Sequence, residues 1–155
     1  MKTTLRAAAL TLALTACTSA ALAADMTPPP APAAAADPLG AAREHIAAKR
    51  WAPAIAELKR VNATSSADWN NLMGYALRKQ ATPDLDGAQR FYDAALRLEP
   101  QHRGALEYAG ELALMKGDLA TAEKRAATLA QACGSAGCEE LADLQKAIAQ
   151  YKSKK

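Results

Sequence analysis

Two cysteines near the carboxyl terminus are the residues whose type and spacing point most directly to chemistry. Cys133 and Cys138 bracket residues 134–137, Gly-Ser-Ala-Gly. In an oxidising compartment such a pair is expected to form a disulfide, which would pin the turn between two helices and contribute roughly 2 kcal/mol in the chain-entropy model. A reactive dithiol and a metal site are the alternatives. The spacing is not that of the thioredoxin-type motif, and His45 and His102 are distant in sequence, so both alternatives are disfavoured.

Paired carboxylates are the second candidate for chemistry. Glu107 and Glu111 share one face of a predicted helix, where general acid–base catalysis would also require an enclosing pocket. The sequence has no glycine-rich phosphate loop and no recognisable serine–histidine–acid motif. We therefore expect no catalytic residues, no metal and no cofactor.

The charge balance argues against a nucleic-acid partner. The full chain carries 19 basic and 16 acidic residues, and removal of Lys2 and Arg6 with a leader peptide would leave a net charge of +1. The rest of the chain contains no basic stripe interleaved with aromatic residues. We expect a protein or peptide partner and no binding of polyanions.

The elements that must position these residues repeat at a fixed interval. Ala54, Ala88 and Ala122 are separated by 34 residues each time. Three neighbouring columns keep the same register: Trp51, Leu85 and Leu119; Leu58, Tyr92 and Ala126; Val61, Ala95 and Leu129. Small or apolar residues three and four apart mark one helix face, so their recurrence predicts stacked helices that cross closely at the alanines.

A second set of helices precedes these, each with a glycine in its interior. Gly74 and Gly110 occupy equivalent positions, and a glycine there costs roughly 1 kcal/mol relative to alanine. Its recurrence predicts close approach of a neighbouring helix. The interval from Gly74 to Ala88 is two residues longer than the interval from Gly110 to Ala122, which predicts a longer connection at residues 81–84.

This pattern resembles the tetratricopeptide repeat family, whose unit is a helix, a tight turn and a second helix in 34 residues. The matching positions are Gly74, Ala88, Tyr92, Ala95 and Pro100 in the middle unit; Gly110, Gly117, Ala122 and Leu129 in the third; and Trp51, Ala54, Leu58 and Val61 in the first. The resemblance implies an all-α solenoid of about three helix-turn-helix units, at residues 38–66, 67–102 and 103–136. It also implies that the first helices line a concave groove for peptides or extended protein segments.

The last segment, residues 137–155, is predicted to be a capping helix. Leu141, Leu144, Ile148 and Tyr151 recur at helical spacing and form one apolar stripe. A cap of this kind would cover the open face of the third unit. A second copy of the protein could cover the same face, so the oligomeric state stays open.

The amino terminus predicts export. Residues 1–24 combine Lys2 and Arg6, a short apolar stretch and small residues before a cleavage site after Ala23 or Ala24, which is typical of a secretory signal peptide. Residues 25–37 form a Pro/Ala-rich linker, after which Asp37 and Pro38 are expected to be the N-cap and the first residue of the first helix. Periplasmic localisation follows. The alternative uses Cys17, because residues 14–17, Leu-Thr-Ala-Cys, resemble a bacterial lipobox whose acylated cysteine would anchor the protein to a membrane.

The predicted groove places eight side chains on the first helices: Arg43, Asn71, Tyr75, Arg78, Lys79, Glu107, Glu111 and Leu114. Tyr75 is expected to be an exposed aromatic anchor. The alternative is that these are ordinary solvated positions, with Arg78 paired to Glu107 or Glu111. The resulting hypothesis is an exported interaction module. A thiol- or metal-handling accessory protein using Cys133 and Cys138, and a lipid-anchored assembly factor using Cys17, are the alternatives.

Overall fold

The computed structural model describes residues 37–154, which form seven α-helices and one short 3-10 turn with no strand among them. The helices are α1 (Gly40–Ala47), α2 (Trp51–Val61), α3 (Ala67–Lys79), α4 (Leu85–Leu98), α5 (Arg103–Met115), α6 (Leu119–Cys133) and α7 (Glu139–Ser153). The predicted all-α class is confirmed for this part of the chain. The predicted signal peptide, nearly all of the linker and Cys17 lie outside the described residues.

Each helix packs against the next one along the chain, and the closest packing is within the pairs α3–α4 and α5–α6. The odd-numbered helices also touch in order, α1 with α3, α3 with α5 and α5 with α7. The connection from α3 to α4 is two residues longer than that from α5 to α6, as the glycine-to-alanine intervals predicted. None of the described helices is long and apolar enough to cross a bilayer.

The repeated alanines are buried in three different helices. Ala54, Ala88 and Ala122 have no accessible surface. A side chain of one carbon lets a neighbouring helix approach closely, because longer side chains would hold it apart. The sequence interval of 34 residues therefore corresponds to a repeated buried position.

The two interior glycines are also contact points. A Cβ atom built on Gly74 would lie 2.7 Å from the ring of Tyr92 in α4, and one built on Gly110 would lie 2.7 Å from the methyl groups of Leu144 in α7. Both distances are shorter than carbon atoms tolerate. Close approach of a side chain accounts for glycine at both positions, but that side chain belongs to the next helix, α4, at Gly74 and to α7 at Gly110.

The core has two parts. A small cluster joins α1, α2 and α3 through Leu39, Ala42, Leu58, Trp69 and Met73. Within it, the Trp69 Nε1–H donates to the Leu58 carbonyl oxygen at 2.7 Å, which satisfies its polar atom. The larger cluster runs from α3 to α7 and includes Tyr92, Leu106, Leu129 and Leu144. Alanine makes up seven of the fourteen buried residues of the larger cluster but only one of the five in the smaller.

The start of α1 differs from the sequence-based expectation. Asp37 and Pro38 were predicted as N-cap and first helical residue, but α1 begins at Gly40. The Asp37 carboxylate accepts a hydrogen bond from the Leu39 N–H, and its carbonyl oxygen accepts one from the Gly40 N–H. These bonds form a tight turn at residues 37–40, and the helix starts only after that turn.

A disulfide joins the end of α6 to the start of α7. Cys133 is the last residue of α6, Cys138 is the N-cap of α7, and their Cα atoms are 5.6 Å apart. The predicted pairing is confirmed. The stripe of α7 packs against α5 and α6, where Leu144 and Ile148 are buried.

Candidate partner-binding site

A pocket of about 370 Å³ lies where the carboxyl-terminal ends of α3, α5 and α7 meet. Its lining residues are Arg78 and Lys79 from α3, Glu111, Leu114 and Met115 from α5, and Ala147, Gln150, Tyr151 and Lys154 from α7. The three helices are the ones that touch in the odd-numbered series, so the pocket belongs to one face of the stack. Apolar side chains of α5 and α7 are combined there with charged groups from all three helices.

The pocket brings together half of the predicted groove residues: Arg78, Lys79, Glu111 and Leu114. Tyr75 adjoins it, because its ring lies beneath the charged groups of Arg78 and Lys79. Glu107 lies one helical turn before Glu111. The structure does not bring Arg43 or Asn71 into the pocket.

Those two side chains have other neighbours. Arg43 makes exposed ion pairs with Asp37 at 3.2 Å and with Asp68 at 3.1 Å. Asn71 is buried where α3 passes the start of α5, and its amide nitrogen lies 3.0 Å from where a Cβ of Gly104 would stand. Both therefore contribute to contacts between helices rather than to the pocket.

Arg78 is buried and paired. Its Nη2 lies 2.6 Å from the Glu111 carboxylate, and the Arg78 side chain is only 5% exposed. The guanidinium also lies 5.6 Å from the centre of the Tyr75 ring and 5.5 Å from that of Tyr108. A buried ion pair stacked on two aromatic rings fixes the relative position of α3 and α5. The Arg78–Glu111 pairing that the sequence left as an alternative is therefore present.

Tyr75 is part of a row of aromatic rings rather than an exposed anchor. Its ring centre is 5.9 Å from that of Trp51 in α2 and 4.6 Å from that of Tyr108 in α5. Burial between these neighbours raises the pKa of the Tyr75 hydroxyl. Tyr75 was predicted to be exposed and is half-buried, because a helix wheel does not show the rings contributed by adjacent helices.

Glu107 is the most perturbed carboxyl group in the described part of the chain. The residue is 7% exposed, and its carboxyl makes no hydrogen bond there. Burial raises its pKa to about 8, and the negative charges of Glu111, Asp143 and Glu140 add to the rise, while Arg78 opposes it. A carboxyl group in this state is largely protonated at neutral pH. Local spacing could not predict this state, because it arises from burial between helices and from Asp143 and Glu140 of α7.

His102 has a structural role that sequence reasoning missed. Its Nδ1 accepts a hydrogen bond from the Ala105 N–H at 3.1 Å and so caps α5, while its Nε2 lies 3.0 Å from the Asp68 carboxylate. Hydrogen bonds from His102 and Arg43 hold the pKa of Asp68 below its usual value, although burial acts in the opposite direction. Asp68 and His102 are 34 residues apart, a signal that could have identified the pair.

Sequence reasoning also missed several residues of the pocket. Met115 is 51% exposed at the end of α5, although it is a large apolar residue. Lys154 and Gln150 reach the pocket from α7. Tyr151, predicted to belong to the apolar stripe, lines the pocket and donates its hydroxyl hydrogen to the Gly117 carbonyl oxygen at 3.2 Å.

The other two candidates for chemistry, a reactive cysteine pair and a metal site, have less support in the structure. The Cys133 and Cys138 sulfurs are bonded to each other, and the described residues contain no group of three His, Cys, Asp or Glu side chains placed to hold a metal ion. The chain matches no protein-family model, and no curated protein is significantly similar to it.

Proposed function

We propose that this protein is an exported protein–protein interaction module, a short tetratricopeptide-type array that holds a peptide or protein segment against the face formed by α3, α5 and α7. The order of helix contacts supports the array, because consecutive pairs stack and the odd-numbered helices line one side. The recurrence of buried Ala54, Ala88 and Ala122 supports it as well. The observation that carries the binding function is the open pocket, which is lined by apolar residues, Leu114, Met115 and Ala147, termed the floor, and by charged residues, Arg78, Lys79, Glu111 and Lys154, termed the rim.

Export is supported by two observations. The Cys133–Cys138 disulfide is a bond that persists in oxidising compartments. The amino-terminal sequence has the charged, apolar and small-residue regions of a signal peptide. We propose a periplasmic protein without a cofactor. The mass of the mature protein would separate cleavage after Ala23 or Ala24 from retention of an acylated Cys17, which would make it a lipid-anchored assembly factor.

Binding can be tested with a random peptide library displayed on phage and selected on the purified mature protein. We expect enrichment of a shared motif, and weaker binding of the selected peptides by Met115→Ser, about five- to tenfold, because the apolar floor is reduced. Leu98→Ser is the matched control, since Leu98 is also a large exposed apolar residue at the end of a helix. Recovery of no motif, or an equal effect of both variants, would contradict the proposal.

A further inference from the structure

The charges at the rim of the pocket specify the partner further, and this inference rests on the proposed function. We infer that the pocket selects a protein segment in which an apolar side chain is flanked by carboxylates. The apolar side chain would lie on Leu114, Met115 and Ala147, and the carboxylates would face Lys79 on one side and Lys154 on the other.

Four charged side chains line the pocket, and two of them neutralise each other. Arg78 and Glu111 form the buried ion pair, so neither is free to bind a partner charge. Lys79 and Lys154 are exposed, and neither forms an ion pair with any described acidic residue. The rim therefore has an excess of two positive charges.

Among the described residues, two lysines next to pocket residues in the sequence are neutralised by carboxylates, whereas Lys79 and Lys154 are not. Lys116, which follows α5, pairs with Asp86 at 3.1 Å, and Lys152, two residues before Lys154, pairs with Glu123 at 2.5 Å. Lys79 instead has its ammonium 5.7 Å from the centre of the Tyr75 ring, which orients the side chain without neutralising it. A segment with carboxylates at these two points would supply the missing charges.

The apolar floor of the pocket favours a partner with an apolar side chain at this point. Leu114 and Met115 from α5 and Ala147 from α7 are the apolar aliphatic side chains that line the pocket. A side chain of leucine or methionine size placed there would remove exposed apolar surface of both partners from water. A basic segment would place its cations against the two lysines, and like charges held close together oppose binding.

The test uses fluorescein-labelled peptides in a titration followed by fluorescence anisotropy. The first probe has the central sequence Asp-Leu-Asp, the second Asp-Ala-Asp and the third Lys-Leu-Lys, each flanked by Gly and Ser. We expect the first to bind at least tenfold more tightly than the other two. Raising the salt concentration from about 50 to 500 mM should weaken only the binding of the acidic probes.

Charge reversal separates recognition from folding. The double variant Lys79→Glu with Lys154→Glu should lose binding of the Asp-Leu-Asp peptide by about tenfold and gain binding of the Lys-Leu-Lys peptide. The matched control is Lys124→Glu with Lys146→Glu, because these lysines are exposed and do not line the pocket. A gain for the basic peptide could not come from a misfolded protein, and circular dichroism would verify helicity in both variants.

The outcomes distinguish this inference from the proposed function. If peptides selected by phage display bind and depend on Met115 but charge reversal changes nothing, the charge rule is wrong and the interaction module stands. If no peptide binds at all, the proposed function is wrong as well. If the reversed variant instead loses binding to vesicles of phosphatidylglycerol in phosphatidylcholine, with peptide binding unchanged, the lysines contact a membrane and the inference is overturned.

Discussion

The second helical pair, α3–α4, and the third, α5–α6, each have a glycine with a space above it that must be filled. The side chains that fill the two spaces come from different helices. In the pair α3–α4, the space above Gly74 is filled by the ring of Tyr92 from α4. In the pair α5–α6, the residue 34 positions after Tyr92 is Ala126, which is too short to fill it. Leu144 from α7 fills the space above Gly110 instead. The second pair is thus packed by its own two helices, whereas the third needs a helix from outside the pair.

This difference connects stability with the proposed binding site. The helix that completes the third pair, α7, also supplies one wall of the pocket through Ala147 and Lys154. Loosening α7 should therefore affect both the core and the pocket, whereas loosening α4 should affect the core alone. The contrast can be tested at the residues that fill the two spaces and at the groups that join α7 to its neighbours.

The largest effect is expected from Leu144→Ala. This side chain has no accessible surface, and its removal would leave a cavity above Gly110, at a cost of about 3 kcal/mol in the free energy of unfolding. Urea unfolding followed by circular dichroism measures it. Leu141→Ala, at a partly buried position on the same helix, should cost about 1 kcal/mol. Equal costs for the two variants would mean that α7 does not pack the third pair as described.

The two glycines provide the most direct comparison. Gly74→Ala would drive a Cβ atom into the rigid ring of Tyr92, whereas Gly110→Ala would meet the flexible methyl groups of Leu144. We expect Gly74→Ala to lower the free energy of unfolding by about 2 kcal/mol and Gly110→Ala to lower it by less than about 1 kcal/mol. Both substitutions gain the same helix propensity, so the difference comes from the side chains that the new Cβ atoms meet.

A double variant sharpens the glycine comparison. In a protein that already carries Leu144→Ala, Gly110→Ala should become stabilising, because the new Cβ atom fills part of the cavity. Thermal unfolding of the single and double variants measures this coupling. If Gly110→Ala is equally costly with and without Leu144, the two residues are not in contact.

Removal of the disulfide should cost about 2 kcal/mol, because Cys133 and Cys138 close a short loop in the unfolded chain. The variant Cys133→Ala with Cys138→Ala should match the wild-type protein under reducing conditions, and reduction should release two more thiols from the wild type than from the variant. No disulfide joins α3 to α4, so reduction should leave the amide hydrogen-exchange rates of these two helices unchanged. Free thiols in the native protein would instead favour the thiol- or metal-handling alternative.

The smallest effect is a pH dependence from Glu107. Its pKa in the folded protein is raised from 4.5 to about 8, so the folded state holds the proton more tightly than the unfolded state does. The stability that this proton provides is present at low pH and is lost as the pH rises between those values. At about pH 9, Glu107 of the wild type would be ionised while buried near the negative charges of Glu111, Asp143 and Glu140. Water and Arg78 screen part of this repulsion. The free energy of unfolding of Glu107→Gln should therefore exceed that of the wild type by about 1 kcal/mol at this pH.

The equivalent position in the second pair sharpens this comparison. When Gly74 is aligned with Gly110, Asn71 in the second pair corresponds to Glu107 in the third. The side-chain amide of Asn71 does not titrate between about pH 5 and pH 9. Asn71→Asp should therefore introduce a new dependence of stability on pH, while Glu107→Gln removes the existing one. Chemical denaturation at about pH 5 and pH 9 measures both, and a wild-type protein whose stability does not change between these values would contradict the buried state of Glu107.

The packing faces of the helices were predictable because they depend on local spacing. The alanine column, the interior glycines and the stripe of α7 follow from which residues share a face three and four positions apart. The disulfide was predictable from two cysteines at the ends of adjacent helices. The start of α1 was misplaced because Asp37 can cap either a helix or a turn, and the sequence alone does not distinguish the two.

The environment of the predicted groove residues was not predictable in the same way. Arg78 is exposed on a helix wheel, yet in the protein it is buried against Glu111 and Tyr108 from α5. Met115 shows the converse, because an apolar residue in a helical pattern is expected in the core and here lines the pocket. Export and the groove itself stay predictions, and the experiments above test the groove.

The sequence alone established that the described chain is helical, which face of each helix is packed and where small residues are needed, because these features depend on residues within one or two turns of each other. The tertiary structure was needed to show that Leu144 rather than Ala126 packs on Gly110, that burial and the charges of the α7 carboxylates together raise the pKa of Glu107, and that Lys79 and Lys154 line the same pocket. Each of these arrangements places side chains close together that are far apart in sequence. They depend on how three helices are placed in space, which no local spacing encodes.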